Sequence, residues 1–534
     1  MKIFYKFGIV VLVNLFYFLS VKASDFEVDG IAYNIISDNQ VEVTGKSGFN
    51  FYAGSIVIPE KVNYQNSEYT VTKIGDNAFF MCKELTGVTL SNSLTSIGEQ
   101  SFVDCESLLK IDLPNSLTSI GAAAFSNSGL INIKIPENVS FLGDMTFEAC
   151  LDLESIEVVS NNQWYTSIDG ILYNKEVSLL IWCPSALSQK YLTLPESLIK
   201  IGNSAFSFTT VKNINIPNSV KEIGDLAFFN SYIETIDIPA SVMEIGYGTF
   251  AACYYLNSIN VDSQNPNFSS LDDILYNNDS TQLISCPATK REVTIPETVK
   301  EIGNYAFYGC QFTEIVLPAS VAKIGDNAFN ECKLLSNVTL SDSLQTIGEG
   351  AFEGCAFSGI KIPESVTEIG ENAFAFCLYL ESIVIPDGVK TIKTLTFVSC
   401  DSLKKIVFGK SVNLIEPGCF YFTNLINEIT CKSVVPPVWD EMIFDFDIAN
   451  CNLYVPAESI GIYRTTNPWS RFGIITEINE AGIESILNNK TSGLSLYELN
   501  GRKILETNNK SEITNLPKGI YIIVSGKERY KISI

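Results

Sequence analysis

The residues best suited to chemistry in this sequence are 14 cysteines and 60 acidic residues, because the 534-residue chain contains no histidine. Histidine is the usual general base near neutral pH, the partner of nucleophilic serine or cysteine, and a common metal ligand. The sequence has no Gly-x-x-x-x-Gly-Lys phosphate loop, Gly-x-Ser-x-Gly turn or Cys-x-x-Cys pair. Asp445 and Asp447 lack the spacing of a calcium loop. We therefore predict no catalytic residues, no cofactor and no metal site.

Most cysteines recur at one position, three residues after a phenylalanine. They are Cys82, Cys105, Cys150, Cys253, Cys310, Cys332, Cys355, Cys377 and Cys400. Elsewhere this position holds Ser128, Thr209, Ser231 or Thr423, which indicates a small buried site. Stacked strands lie about 4.8 Å apart, whereas bridged Cβ atoms lie about 3.8 Å apart. We expect a reduced, buried ladder of cysteines, and disulfides between some of them are the alternative.

The cysteines belong to a repeat of 22 or 23 residues, which reads Ile-Gly-x-x-Ala-Phe-x-x-Cys and then Leu-x-x-Ile-x-Ile-Pro-x-Ser-Val. Repeats of roughly 20–29 residues are typical of solenoids, whose coils bury their apolar faces only by stacking. The predicted fold is mostly β with short helical turns, a leucine-rich-repeat solenoid of about 13 coils, with two hairpin inserts and small β modules at the ends. The phenylalanines expected to fill its core are Phe79, Phe102, Phe125, Phe147, Phe206, Phe228, Phe250, Phe307, Phe329, Phe352, Phe374, Phe397 and Phe420.

Each repeat predicts one short strand, in which Ile-x-Ile turns its outer residues inward and its middle residue to solvent. Proline often follows and ends the strand, since it has no N–H to donate. The glycine of Ile-Gly, kept from Gly75 to Gly370 in most coils, is expected to occupy a corner with positive φ.

Two inserts, at about 160–190 and 263–290, interrupt the period. Both contain a phrase that ends in Ile-Leu-Tyr, preceded by Asp-Gly in one and Asp-Asp in the other; Asp-Gly is typical of a hairpin turn. We expect these hairpins to project from the solenoid. They are predicted to act as spacers or caps, or alternatively as a binding site whose contacts would be Trp164, Tyr165 and Trp182.

The chain is predicted to have five parts. Residues 1–23 have the pattern of a secretory signal peptide, with basic residues before a short apolar run. An N-terminal β cap (24–72) and the solenoid (73–429) follow, and then a C-terminal capping segment (430–480) and a small β module (481–534). No stretch of the mature chain is apolar enough for a membrane span.

The repeat resembles that of the BspA-type leucine-rich repeat family of bacterial surface proteins, over about residues 26–475. The resemblance implies an exported, curved, mostly β solenoid that adheres to host proteins, other bacteria or extracellular matrix, and it carries no catalytic residues. The last segment, with Leu496-Tyr497-Glu498-Leu499 and Lys518-Gly519-Ile520-Tyr521, resembles the C-terminal sorting domain of type IX secretion cargo in Bacteroidetes. A simple β module or a degenerate remnant is the alternative.

The net charge of −24 makes nucleic acid an unfavourable partner. We therefore predict a non-catalytic recognition protein at the cell surface, the outer membrane or outside the cell. Its expected partner is an extracellular protein or a bacterial surface macromolecule. The alternatives are a structural envelope scaffold and a glycan-binding or glycan-processing accessory protein. The candidate binding face consists of outward strand positions, namely Asp112, Lys134, Glu157, Asn215, Asp237, Asn260 and Lys361.

Overall fold

The structure, a computed structural model, describes residues 24–46, 51–439 and 447–478, together with four strands between residues 494 and 533. The predicted signal peptide lies outside the described residues. The fold is a mostly β solenoid of about 17 turns, which confirms the predicted class. The solenoid has more turns than the 13 repeats because the inserts and the segments at both ends also form coils. Its hydrophobic core falls into three large clusters, which we call the first, second and third blocks.

The strands follow in chain order. The first block contains β1 (Phe26–Val28), β2 (Ile31–Ser37), β3 (Gln40–Thr44), β4 (Gly54–Val57), β5 (Lys61–Tyr64), β6 (Ser67–Ile74), β7 (Leu85–Thr89), β8 (Ser96–Ile97), β9 (Ser119–Ile120), β10 (Asn132–Ile135), β11 (Phe141–Leu142) and β12 (Ser155–Val158). The second block contains β13 (Tyr165–Ile168), β14 (Ile171–Asn174), β15 (Leu179–Trp182), β16 (Tyr191–Thr193), β17 (Lys200–Ile201), β18 (Asn213–Asn215), β19 (Glu222–Ile223), β20 (Thr235–Ile238), β21 (Glu244–Ile245) and β22 (Ser258–Val261).

The third block contains β23 (Phe268–Leu271), β24 (Ile274–Asn277), β25 (Gln282–Ser285), β26 (Glu301–Ile302), β27 (Glu314–Val316), β28 (Lys323–Ile324), β29 (Asn337–Thr339), β30 (Thr346–Ile347), β31 (Glu368–Ile369), β32 (Ser382–Val384), β33 (Thr391–Ile392), β34 (Lys405–Phe408), β35 (Leu414–Ile415), β36 (Glu428–Cys431), β37 (Val438–Trp439), β38 (Asn452–Val455), the helix α1 (Ile460–Thr465) and β39 (Ile474–Glu477). The C-terminal strands are β40 (Leu494–Glu498), β41 (Lys503–Thr507), β42 (Ile520–Ser525) and β43 (Glu528–Ser533), and they form one antiparallel sheet in the order β41-β40-β42-β43.

Each regular coil has three sides. The Ile-x-Ile strands pair in parallel on the long-strand face, as β10 does with β12. The residues before each Ile-Gly glycine pair in parallel on the short-strand face, as β8 does with β9. The phenylalanine segments make hydrogen-bonded turns on the turn face, where the Phe102 N–H donates to the carbonyl of Ala124 in the next coil at 2.8 Å. The repeated sequence thus satisfies its backbone groups mainly by pairing with neighbouring coils.

The predicted phenylalanines form the core, as expected. Within each block their rings stack on those of the next coil, with centroids 4.9 Å apart for Phe79 and Phe102 and 6.0 Å apart for Phe125 and Phe147. Burying one such side chain contributes about 1.5–3 kcal/mol. The third block ends on a second aromatic cluster, in which Trp439 stacks on Trp469 at 4.4 Å. The interior is therefore filled by side chains.

The inserts do not project from the solenoid, and that prediction was wrong. Each insert forms an antiparallel meander whose last strand joins the short-strand sheet of the following coils: β13-β14-β15 leads into β17, and β23-β24-β25 into β26. Strands β1, β2 and β3 begin the first block in the same way. The rings of Tyr173 and Tyr276 are buried, because burying Ile-Leu-Tyr against the coil is more favourable than exposing it. The predicted hairpin turn is confirmed, with left-handed backbone at Asp169 and Gly170.

The Ile-Gly glycines have a different role from the predicted one. None of the glycines that directly follow the repeated isoleucine has a positive φ in the described solenoid. Instead, a Cβ on Gly98 would lie 2.3 Å from Oδ1 of Asp76 in the preceding coil. That oxygen accepts a hydrogen bond from the N–H of Glu99 at 3.1 Å. Glycine is needed because neighbouring coils approach too closely for a side chain.

All 14 cysteines are free and buried, which agrees with a reduced ladder rather than with disulfides between coils. The C-terminal part of the described solenoid continues the long-strand face, since β38 pairs in parallel with β36 and β39 with β38. Among the described residues, no helix is long and apolar enough to cross a membrane.

Candidate recognition surfaces

The predicted outward residues do lie exposed on the long-strand face. Strand pairing places Lys134 beside Glu157 and Asp237 beside Asn260. Asp112, Lys134 and Glu157 also line one open cavity of about 360 Å³, which we call the polar groove. Asn215, Asp237 and Asn260 lie in the second block, and Lys361 lies in the third. The structure thus gathers three of the seven predicted residues around the polar groove, places Asn215, Asp237 and Asn260 on the consecutive strands β18, β20 and β22, and leaves Lys361 apart from both groups.

Exposed side chains in the polar groove form weak ion pairs. Lys110 Nζ lies 2.9 Å from a carboxylate oxygen of Asp112, and Lys134 Nζ lies 3.8 Å from one of Glu157. Exposed ion pairs of this kind contribute about 0–1 kcal/mol. Breaking them to contact a charged partner therefore costs the folded protein little.

The three predicted hairpin contacts have different surroundings. The indole of Trp164 is 45% exposed, whereas Trp182 is only 3% exposed and packs in the core. Trp182 is therefore wrong as a ligand contact, because alternation along β15 turns it inward. The phenol oxygen of Tyr165 accepts a hydrogen bond from the Leu142 N–H at 3.1 Å and donates to the Ser140 carbonyl. Tyr165 thus fastens the hairpin to the preceding coil, and Trp164 is the most exposed of the three.

A second open cavity, of about 640 Å³, lies on the turn face across the two inserts. The insert coils cross this face with Cys183-Pro184 and Cys286-Pro287 in place of a phenylalanine turn. The walls of the cavity are residues of the neighbouring turns, including Ser204, Asn230 and Ala252. We call this cavity the aromatic groove; its aromatic lining residues are Phe208, Phe229, Tyr254, Tyr305 and Tyr308.

The rings of the aromatic groove pack across the boundary between the second and third blocks. The centroids of Phe229 and Tyr308 are 6.1 Å apart, and their rings meet edge to face. A Cβ on Gly248 would lie 3.1 Å from the ring of Tyr305, and one on Gly309 would lie 2.9 Å from that of Tyr254. Two glycines therefore leave space for two rings that come from the opposite block.

The polar lining of this groove is acidic overall. It includes Glu148, Glu331 and Lys333. Burial raises the pKa of the Glu148 carboxyl. Burial, followed by the nearby Glu331 carboxylate, raises the pKa of Tyr254 to about 12. Lys333 Nζ lies 2.5 Å from a carboxylate oxygen of Glu331. At neutral pH the Tyr254 phenol is thus uncharged, and Lys333 balances only one of the two carboxylates.

None of these five aromatic residues was among the predicted contacts. The predicted face was restricted to outward strand positions, which hold no aromatic residue from Thr89 to Val407. A signal was present in the repeat itself, because Tyr254 and Tyr255 directly follow Cys253, and Tyr305 and Tyr308 flank the repeated Ala-Phe pair. The sequence spacing across an insert does not show that these turns meet. Among the described residues, no group of three or more histidine, cysteine or acidic side chains is arranged to hold a metal ion.

Comparison with known proteins identifies the repeat. The family profile described as "BspA type Leucine rich repeat region (6 copies)" matches residues 35–171, 184–291, 285–357 and 323–445. No curated protein matches the chain.

Several solved structures are similar to this chain. A leucine rich cell surface protein from Faecalibacterium prausnitzii A2-165 is 23% identical, with 77% of this chain and 96% of that chain covered and a TM-score of 0.39. The pneumococcal vaccine antigen PcpA is 19% identical, covering 86% and 100%, with a TM-score of 0.37. A leucine-rich repeat protein from Bacteroides ovatus ATCC 8483 is 23% identical, covering 78% and 100%, with a TM-score of 0.33. Because the family profile accounts for most of its length, the chain belongs to the BspA-type leucine-rich repeat family.

Proposed function

We propose that this protein is an exported, non-catalytic recognition protein that binds an extracellular protein or a bacterial surface macromolecule in the manner of an adhesin. The observation that carries this proposal is that the solenoid has open cavities on its outer faces and a filled interior. Stacked phenylalanines fill the interior, while the polar groove and the aromatic groove are both open to solvent. A partner that uses several coils at once has to be large.

The side chains also favour binding over catalysis. The chain has no histidine, and the cysteines, which could serve as nucleophiles, are all buried. Burial raises the pKa of Cys150 to about 11 and that of Cys253 to about 12. Buried thiols of this kind are inert, because only the thiolate attacks a substrate.

Export rests on the sequence at the two ends. The signal-peptide pattern in residues 1–23 supports export, and the C-terminal sheet β40–β43 supports a small β module that would serve as a type IX sorting domain. Localising the chain with and without residues 485–534 tests this part of the proposal. Loss of the protein from the cell surface and medium after deletion is the expected result, and unchanged export would contradict a sorting role.

Binding is tested by presenting the purified protein to immobilised extracellular matrix proteins and bacterial surface extracts. The strand-face variant carries Asp112→Lys, Glu157→Lys and Asp237→Lys. Glu244→Lys is a matched control, since Glu244 is also exposed and lies on the short-strand face of the same coil as Asp237. Capture of a partner by the wild type supports the proposal, and loss of capture in the strand-face variant alone places contact on the long-strand face. Failure to capture any macromolecule would contradict the proposed function.

A further inference from the structure

The aromatic groove has features that the core of the solenoid does not need. The repeated phenylalanines already fill the interior of each coil, yet five additional rings gather on the turn face. Tyr254 keeps 40% of its surface exposed. Exposed aromatic rings around an open cavity are typical of binding sites, because they offer a large contact area with little conformational freedom to lose.

The position of Glu148 adds a second, independent feature. It occupies the residue directly after a repeat phenylalanine, Phe147, and lines the groove. Burial raises the pKa of this carboxyl, and none of the ion pairs between described side chains includes Glu148. A desolvated carboxylate that lacks a counter-ion is costly to keep in the folded state.

A glutamate at the same repeat position in another coil has a hydrogen-bond partner. Glu353 also directly follows a repeat phenylalanine, Phe352. Its carboxylate accepts a hydrogen bond from the side-chain amide of Asn330 at 3.0 Å, and it does not line the groove. The uncompensated charge at Glu148 is therefore not a requirement of the repeat.

The class of ligand follows from which chemical groups can contact both the aromatic rings and the carboxylate. A guanidinium or ammonium group stacks on aromatic faces and pairs with a carboxylate, while its aliphatic stem packs on apolar surface. A neutral sugar would use the rings but leave the carboxylate charge uncompensated, and an acidic group would be repelled by it. We propose that the aromatic groove binds an arginine or lysine side chain carried by an extended segment of a partner protein.

This inference rests on the proposed recognition function, and it names the part of the partner that enters this groove. The overall charge of the protein agrees with it, since a net charge of −24 attracts basic segments over distance. The cavity volume of about 640 Å³ suits a short peptide segment, since ligand pockets generally measure about 300–1,000 Å³.

The test measures binding of blocked peptides to the purified protein by calorimetry. The probe is acetyl-Leu-Arg-Phe-Gly-amide, and the matched peptide carries glutamate in place of arginine. Cellohexaose serves as the neutral sugar. We expect the arginine peptide to bind at least tenfold more tightly than the glutamate peptide and cellohexaose. The preference should weaken as salt is added, because the interaction is partly ionic.

Two pairs of variants locate the site. Glu148→Gln should weaken binding of the arginine peptide at least tenfold. Glu353→Gln, at the same repeat position, should weaken it much less, because Glu353 does not line the groove. Tyr254→Leu removes an aromatic face but keeps an apolar side chain, and it should also weaken binding. Its control is Tyr379→Leu, because Tyr379 is an exposed tyrosine outside the groove. Circular dichroism confirms that each variant is folded.

The outcomes separate this inference from the proposed function. Equal binding of the arginine and glutamate peptides, no binding of either, or preferential binding of cellohexaose would overturn the inference. Equal effects of Glu148→Gln and Glu353→Gln would overturn it as well. If macromolecular capture persists in Glu148→Gln and Tyr254→Leu, the recognition function stands and the groove is not its site. If the wild type captures nothing, the recognition function itself fails.

Discussion

The thiol of Cys332 donates a hydrogen bond to the main-chain carbonyl of Phe307, one coil earlier, at a distance of 3.0 Å. The same contact joins Cys150 to Phe125 at 2.9 Å. Where threonine replaces cysteine, the hydroxyl of Thr423 donates to the carbonyl of Phe397 at 2.8 Å. The serine hydroxyls of Ser128 and Ser231 instead lie 3.4 Å from the sulfurs of Cys150 and Cys253 in the next coil. A small side chain that can hydrogen-bond to a neighbouring coil is common to cysteine, serine and threonine at this position.

Substitutions at Cys332 test this explanation. Cys332→Ser should keep the hydrogen bond and change the free energy of unfolding only slightly. Cys332→Ala should cost about 0.5–1.5 kcal/mol, because the buried carbonyl of Phe307 loses one of its two hydrogen bonds and keeps the one from the N–H of Cys310. Denaturant unfolding curves measure both values. Equal stability of the serine and alanine variants would show that the site selects for size alone.

The reduced ladder predicts a simple pattern of thiol reactivity. Because the cysteines are buried and burial raises the pKa of thiols such as Cys253, the native protein should react only slowly with a thiol reagent. After unfolding without reductant, all 14 cysteines should react. Fewer reactive thiols in the unfolded chain would indicate disulfides between coils.

The close approach of coils at the Ile-Gly corner predicts a steric effect. Gly121→Ala would place a Cβ 2.6 Å from the backbone nitrogen of Glu99, and the coils would have to separate. We expect a loss of about 1–3 kcal/mol in the free energy of unfolding. Gly461→Ala is the control, because nothing lies within 4 Å of its Cβ and alanine favours the helix α1. If Gly121→Ala leaves the free energy of unfolding unchanged, neighbouring coils can separate without cost.

The half-buried carboxyl of Glu148 predicts how the stability of the protein depends on pH. Its pKa is raised in the folded state, so the folded protein binds this proton more tightly than the unfolded chain does. Glu148 therefore contributes less to stability as the pH rises through its folded pKa. Glu148→Gln should raise stability by about 1 kcal/mol at neutral and higher pH, where the wild-type carboxyl is charged.

This gain should shrink as the pH falls through the raised pKa of Glu148, because protonation makes glutamic acid neutral like glutamine. Thermal unfolding at several pH values measures the difference, and Glu353→Gln provides the comparison at the same repeat position. A difference between Glu148→Gln and wild type that does not change with pH would contradict the assigned cause.

The sequence by itself determined the structure of a coil. The spacing of Phe102 and Cys105, and the alternation that turns Ile133 inward and Lys134 outward, predict the core, the cysteine ladder and the exposed strand positions, because each coil contacts mainly its neighbours. Local turn chemistry likewise predicted the hairpin at Asp169-Gly170.

Only the tertiary structure decided what depends on how coils meet. The clash at Gly98 arises between coils, so φ preferences gave the wrong reason for glycine. Trp182 is buried because its strand lies in the stack, where its indole packs into the core of the first block. The aromatic groove forms where Phe229 and Tyr308 meet across the second insert. The repeat period predicts contacts between successive coils. Contacts across an insert depend on how that insert folds into the stack, which the period does not describe.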